Sequence, residues 1–394
     1  MLILKKSILL LIIALLLFSS VVSSFESAYY LDENKVKQKD NDFFDLKIKN
    51  LMKIGGLPSI SACIIKNNSV VWNKAYGYAD IENNVAATSK TLYCIGSIHK
   101  TITATAMMQL YERSIINLSD DVNLFLPFKL RNPNFPNDII TIEMLLSHRS
   151  SIARDPPTMN NLSFSLLKEY LTENGNLYDS SYWKDYAPDE GFEYSTINYQ
   201  ILRYILELVT NQTCYDYYQE NIFSPLEMNC PGVGYDKNLS AIPYERFLMV
   251  FKKIENETFQ GWFEYSVLDL SHFLIAHMNK GVYNGTRILD ESTVALMHSI
   301  KSFRSELSGF FNGLRYEGLG WNINIKRNGE ITEGHTGVLP GGSAVMKFKR
   351  ISGEIVGVIF FTNVMTLLPL YNPRGYVSTF LIERSLFNKA ERMD

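Results

Sequence analysis

Two apolar, β-branched runs at residues 60–65 and 70–75 are split by Lys66-Asn67-Asn68-Ser69, and comparable runs return only at 319–325, 331–334, 343–348 and 354–362. The first pair reads as a hairpin, and the later runs alternate with the turn signals Asn328-Gly329, Pro340-Gly341-Gly342 and Ser352-Gly353. Residues 97–244 carry mostly helical patterns and loops, with helices expected at 142–146, 166–171 and 198–209. Further helices are expected at 44–54 and 376–391. Strands at both ends of a chain, around a long helical insert, imply one antiparallel sheet flanked by helices and built from both chain ends, an α+β architecture with the insert as a mostly helical second lobe. The expected division is a leader at 1–24, a charged linker at 25–43 and one domain at 44–394, with an α/β lobe (44–96 and 245–394) and a helical lobe (97–244). A cleft between such lobes would lie close to where the insert begins.

The formal charge is −3 and 46% of the 394 residues are hydrophobic, so the chain is of the globular class and offers no polyanion-binding surface; nucleic acid is not an expected partner. Lys5 and Lys6, an apolar run at 8–18 and the small residues Ser19, Ser20, Ser23 and Ser24 have the three-part grammar of a secretory signal. The expected location is secreted or in the lumen of the secretory pathway, with a membrane as partner only if the leader stays uncleaved as an anchor. Asn-x-Ser/Thr sites at Asn67, Asn117, Asn161, Asn211, Asn238, Asn256 and Asn284 fit a glycoprotein. Cys63 and Cys94 sit in apolar runs and read as core thiols, whereas Cys214 and Cys230 flank a short helix and could close a bridge.

The chemistry is concentrated at Ser97-Ile98-His99-Lys100. Residues three apart on a helix share a face, so the Lys100 amine can reach Ser97 Oγ and, unprotonated, take its proton. Gly96 supplies the turn that lets a buried helix start at about 101–111, and the helix N-terminus points backbone N–H groups at any developing anion. Ser165-Leu166-Leu167-Lys168 and Ser181-Tyr182-Trp183-Lys184 have the same spacing, but no glycine turn and no long apolar helix behind them.

The chain resembles the serine β-lactamase and penicillin-binding-protein-like family, in particular its class C branch with related esterases, D-peptidases and the mitochondrial β-lactamase-like branch of animals. The resemblance is carried by 71–80 before the serine, Leu145-Leu146-Ser147-His148-Arg149-Ser150, Gly191-Phe192-Glu193-Tyr194-Ser195-Thr196, Gly318-Leu319-Gly320-Trp321 and His335-Thr336-Gly337, in the expected order and over nearly all of the mature chain. It implies Ser97 as nucleophile, Lys100 as proton acceptor and Tyr194 as proton shuttle, a phenol whose ordinary pKa of about 10 can drop beside an ammonium. It implies that His335, Thr336 and Gly337 lie on an edge strand beside the cleft, that Thr336 donates to a substrate carboxylate or carbonyl, and that the N–H groups of Ser97 and Val338 form an oxyanion hole. His148 is expected to tie a loop by hydrogen bonds and His99 to pack.

Three positions depart from the penicillinase pattern. Thr196 stands where an asparagine braces the lysine and binds the substrate amide, and a hydroxyl is shorter with one donor. His335 replaces a permanent cation by a group mostly neutral at pH 7. Ser151 replaces a glycine, an expected loop adjustment. The implied function is a secreted serine hydrolase acting through an acyl-enzyme on small ester, peptide or amide substrates; the alternative is an inactive binding or scaffolding relative of the same fold. His272, His277 and His298 form no metal-binding spacing, and no cofactor is implied, since serine, lysine, tyrosine and water complete the cycle.

Overall fold

The computed structural model describes residues 40–153, 164–229, 239–247, 250–254, 264–307, 313–368 and 371–393. The leader, Cys230 and the sites at Asn161, Asn238 and Asn256 lie outside the described residues; Asn67, Asn117, Asn211 and Asn284 are exposed. By compactness the chain divides into Met1–Lys49 and Asn50–Asp394, and helix α1 (Asp40–Gly55) runs across that boundary. Among the described residues no helix is long and apolar enough to cross a membrane.

Within Asn50–Asp394 the framework is a nine-stranded antiparallel sheet. Its strands are β1 (Ser59–Lys66), β2 (Ser69–Asp80) and β3 (Val85–Ala86) from the beginning of the chain. After the short β4 (Tyr93–Cys94), β5 (Tyr244–Phe247), β6 (Val250–Lys253), β7 (Glu264–Tyr265), β8 (Val282–Tyr283) and β9 (Thr286–Arg287), which pair outside it, come its other strands. These are β10 (Ser302–Leu307), β11 (Gly313–Glu317), β12 (Asn322–Lys326), β13 (Ile331–Leu339), β14 (Gly342–Ile351) and β15 (Glu354–Thr362). The spatial order is β10-β11-β12-β13-β14-β15-β1-β2-β3, so the last long strand of the chain pairs with the first, with Cys63 opposite Ile359.

Strand β1 is buried along all but its last residue, which requires cover on both faces. The helices α2 (His99–Glu112), α3 (Ile142–Leu146), α4 (Ser165–Leu171), α5 (Thr196–Thr210), α6 (Cys214–Tyr218), α7 (Val267–Met278), α8 (Glu291–Met297) and α9 (Pro373–Glu391) complete the fold. Lys347 and Lys349 of β14 reach Glu383 and Phe387 of α9, whereas Met278 and Leu274 of α7 press on Gly357 of β15. Phe348, one residue out of step with the two lysines, turns to His298 and Trp321 beside α7, so α9 and α7 cover opposite faces.

Helix α2 is buried at every residue from Lys100 to Leu110, as expected of a helix without a polar face. Its threonines satisfy themselves: Thr101 Oγ1 donates to the Ile98 carbonyl at 2.8 Å and Thr105 Oγ1 to that of Thr101 at 2.9 Å. Cys63 and Cys214 are buried thiols, and burial pushes each up to about 12.

Candidate active site

Gly96 makes the turn that leads into α2. Its φ is +53°, a conformation that side-chain-bearing residues rarely adopt, and a Cβ there would stand 3.0 Å from the nitrogen of Val338. A 3-10 turn, Gly96–Ile98, carries Ser97 and runs directly into α2. The Lys100 amine, on a residue only 6% exposed, donates to Ser97 Oγ at 3.0 Å and to Thr196 Oγ1 at 3.4 Å. Thr196 is the first residue of α5, so one nitrogen joins the two helices.

The other two sequence matches differ. Ser181 lies in an exposed turn whose N–H is held by Asp179 at 2.8 Å, and Lys184 turns away to Glu193 at 2.8 Å. The side chain of Ser165 lies outside the described residues.

The strand that carries His335, Thr336 and Gly337 is not an edge strand as expected: β13 lies between β12 and β14. The reason is the β10–β11–β12 meander, which extends the sheet past β13. The pairing with β12 nevertheless ends at Asn322 opposite Gly334, so from His335 onward β13 has only β14 as ladder partner. Its other side faces the Ser97 turn, and a Cβ on Gly337 would lie 1.7 Å from the carbonyl oxygen of Ile95. The β13–β14 hairpin closes with Leu339 opposite Gly342. On the alternation of an antiparallel ladder, Val338 is then a residue whose N–H turns away from β14, toward Gly96.

Tyr194 lies in the segment 191–195, which forms neither helix nor strand. Its ring centroid is 5.0 Å from the Lys100 amine, 4.4 Å from the ring of His148, 4.8 Å from the guanidinium of Arg304 and 6.3 Å from the ring of His335. Among the described residues no hydrogen bond links its hydroxyl to Ser97 or Lys100. His335 is buried, and its Nδ1–H donates to the Thr336 carbonyl at 2.7 Å. Burial, reinforced by the nearby Lys100 charge, pushes its imidazole down to about 3, so the ring is neutral. Thr336 and Val338 are half-buried on the same stretch of strand.

Four residues here were not found from the sequence. Arg304 of β10 pairs with Glu317 of β11, and Asn322 Nδ2 donates to the same carboxylate at 2.9 Å. Asn198 of α5 accepts from Ser150 Oγ at 2.7 Å and donates to His148 Nδ1 at 3.2 Å. A hydrophobic pattern does not register an inward-facing ion pair, and only the position of Glu317 directly before Gly318-Leu319-Gly320-Trp321 hinted at it. His99 packs against Tyr218, ring centroids 5.4 Å apart.

A model of the family described as Beta-lactamase matches residues 44–374. The chain belongs to the Beta-lactamase family. Among its relatives, the protein flp of Staphylococcus aureus strain MRSA252 is 33% identical over 204 residues, 51% of this chain and 40% of flp. The putative penicillin-binding protein PbpX of Bacillus subtilis strain 168 is 30% identical over 213 residues, 54% of this chain and 49% of PbpX. The matched stretch thus spans less than half the length of these curated relatives. The octameric penicillin-binding protein homologue from Pyrococcus abyssi shares the fold with a TM-score of 0.68 at 24% identity, over 87% of this chain and 77% of that one. D-amino acid amidase from Ochrobactrum anthropi SV3, complexed with L-phenylalanine, gives 0.69 at 18% identity, over 89% of this chain and all 100% of that one. The nine-stranded sheet with helices on both faces is therefore the β-lactamase/transpeptidase-like fold of this family.

Proposed function

We propose that this member of the Beta-lactamase family is a secreted serine hydrolase that transfers the acyl group of a small ester, D-peptide or amide to Ser97 and then to water. The observation that carries the reading is the 3.0 Å contact between the buried Lys100 amine and Ser97 Oγ, at the start of a buried helix and beside the open side of β13. In its unprotonated form the amine takes the Ser97 proton as Oγ attacks the carbonyl. The carbonyl oxygen gains the charge, which the N–H groups of Ser97 and Val338 stabilise; one such donor is typically worth about 3 kcal/mol. The leaving group then departs with a proton delivered through Lys100 and Tyr194, and water cleaves the acyl ester by the same steps in reverse order. His335, Thr336, Gly337 and Thr196 border the place where the substrate would lie. A neutral His335 puts no permanent cation there, and Thr196 offers one short hydroxyl, which favours esters and amides over β-lactams. The names of the amidase and the penicillin-binding neighbours support the amide and peptide class, and the Lys5-Lys6 leader supports export.

A fluorophosphonate probe, followed by intact mass, tests the reading. Wild type should gain one adduct and Ser97→Ala none; a folded wild type that takes no label points instead to a non-catalytic relative with an intact cleft. Rates on a small ester, a D-Ala-D-Ala peptide and nitrocefin rank the substrate classes, and nitrocefin should be the slowest.

A further inference from the structure

His148 holds Tyr194 from three sides. Its main-chain carbonyl accepts the N–H of Glu193 at 3.0 Å, its Nδ1 accepts the N–H of Ser195 at 3.3 Å, and its ring lies 4.4 Å from the ring between them. The residue itself is fixed: it is 2% exposed, its φ is +59°, and Asn198 Nδ2 donates to the same Nδ1 at 3.2 Å while Asn198 Oδ1 accepts from Ser150. A backbone N–H can only donate, so Nδ1 carries a lone pair and the ring proton sits on Nε2. Burial, with the charges of Lys100 and Arg304 and the ring of His335 nearby, holds the imidazole well below its ordinary value and keeps that lone pair available.

The segment 191–195 has no ladder or helix of its own to set the phenol. We infer that His148 is the positioning residue of the acyl transfer, aiming Tyr194 at Lys100 by gripping the main chain on either side of it, without touching substrate. This rests on the serine-hydrolase reading. Misplacing a reacting group by about 1 Å can cost on the order of a hundredfold in rate, which sets the scale of the effect.

The test compares second-order rates of fluorophosphonate labelling at Ser97 in the full chain, with thermal midpoints measured alongside. His148→Gly, which tolerates the positive φ but removes the acceptor, should label at least about tenfold more slowly. His148→Asn tolerates the same φ and keeps an acceptor in Oδ1, so it should return to within about threefold of wild type. In the Tyr194→Phe background, His148→Gly should change the rate less than about twofold, because a residue that acts through Tyr194 has nothing left to position. If His148→Gly does not fold, His148→Phe replaces it as the variant lacking the acceptor. A labelled wild type overturns this inference alone if the loss variant keeps its rate, if the losses multiply in the double variant, or if folded His148→Asn is as slow as His148→Gly. A wild type that takes no label overturns the hydrolase reading and this inference with it.

Discussion

Gly337 and Ile95 meet backbone to backbone: a Cβ on Gly337 would stand 1.7 Å from the Ile95 carbonyl oxygen. The open side of β13 can approach the Ser97 turn only because that atom is missing. Gly337→Ala must push the strand away, and the N–H of Val338 with it. Labelling of Ser97 should fall at least about a hundredfold, the scale of one lost oxyanion donor, with a stability loss of about 1–3 kcal/mol from overpacking. A folded Gly337→Ala protein that labels at the wild-type rate would remove Val338 from the mechanism.

Histidine burial makes the fold acid-sensitive in a stated direction. The unfolded chain binds a proton at His335 near the ordinary value of about 6.5, but the folded chain only near about 3. Between these values the unfolded state holds more protons, so the stability present above pH 6.5 is lost as pH falls toward 3. His99, His148 and His277, all depressed by burial, act in the same sense. Thermal midpoints of wild type and His335→Asn, taken from pH 7 to pH 4, should show wild type losing more; parallel curves would contradict the neutral, buried imidazole.

Glu317 is 2% exposed and sits between Arg304 and Asn322. Burial raises its pKa while the Arg304 charge opposes the rise. Removing one partner of such a pair strands the other, so Glu317→Ala should lower the urea-unfolding free energy by about 3 kcal/mol. Glu317→Gln, which keeps the volume and hydrogen bonding to Asn322, should lose less. A loss below about 1 kcal/mol for the alanine variant would mean that Arg304 finds another partner.

Ser151 has a φ of +60°, which explains in physical terms why a glycine suits the position. Its hydroxyl accepts from the buried Asn132 Nδ2 at 3.0 Å. Ser151→Gly loses that bond, about 1 kcal/mol, and relieves a left-handed penalty of about the same size, so stability should barely move. Ser151→Ala loses the bond and keeps the strain, and should be about 1 kcal/mol less stable. Chemical denaturation of the two variants decides, and equal stabilities would show that the strain is not there.

The parts of the fold that were legible in the sequence are those marked by apolar, β-branched runs bounded by turn signals, or by short helical patterns. The runs at 60–65 and 354–362 lie inside β1 and β15, and the helix expected at 142–146 coincides with α3. Helix α7 escaped because it is apolar nearly all round and so has no stripe to read, and β10 and β11 because their inward positions include Arg304 and Glu317. In the site, the Ser97 to Lys100 spacing was visible because it is local. The chain from Thr105 Oγ1 through His277 and His298 to Glu333, spanning 3.0, 3.3 and 2.7 Å, links residues far apart in sequence and has no motif.

Lys100 touches one hydroxyl three residues away and another 96 residues away. The nearer contact survives wherever the first turn of α2 is wound; the farther one exists only while α5 is docked. The reactivity of Ser97 is therefore a gauge of local opening as well as of chemistry. Mild denaturant that loosens α5 before the sheet melts should slow labelling while strand signals persist, making the nucleophile a reporter of which part of the molecule lets go first.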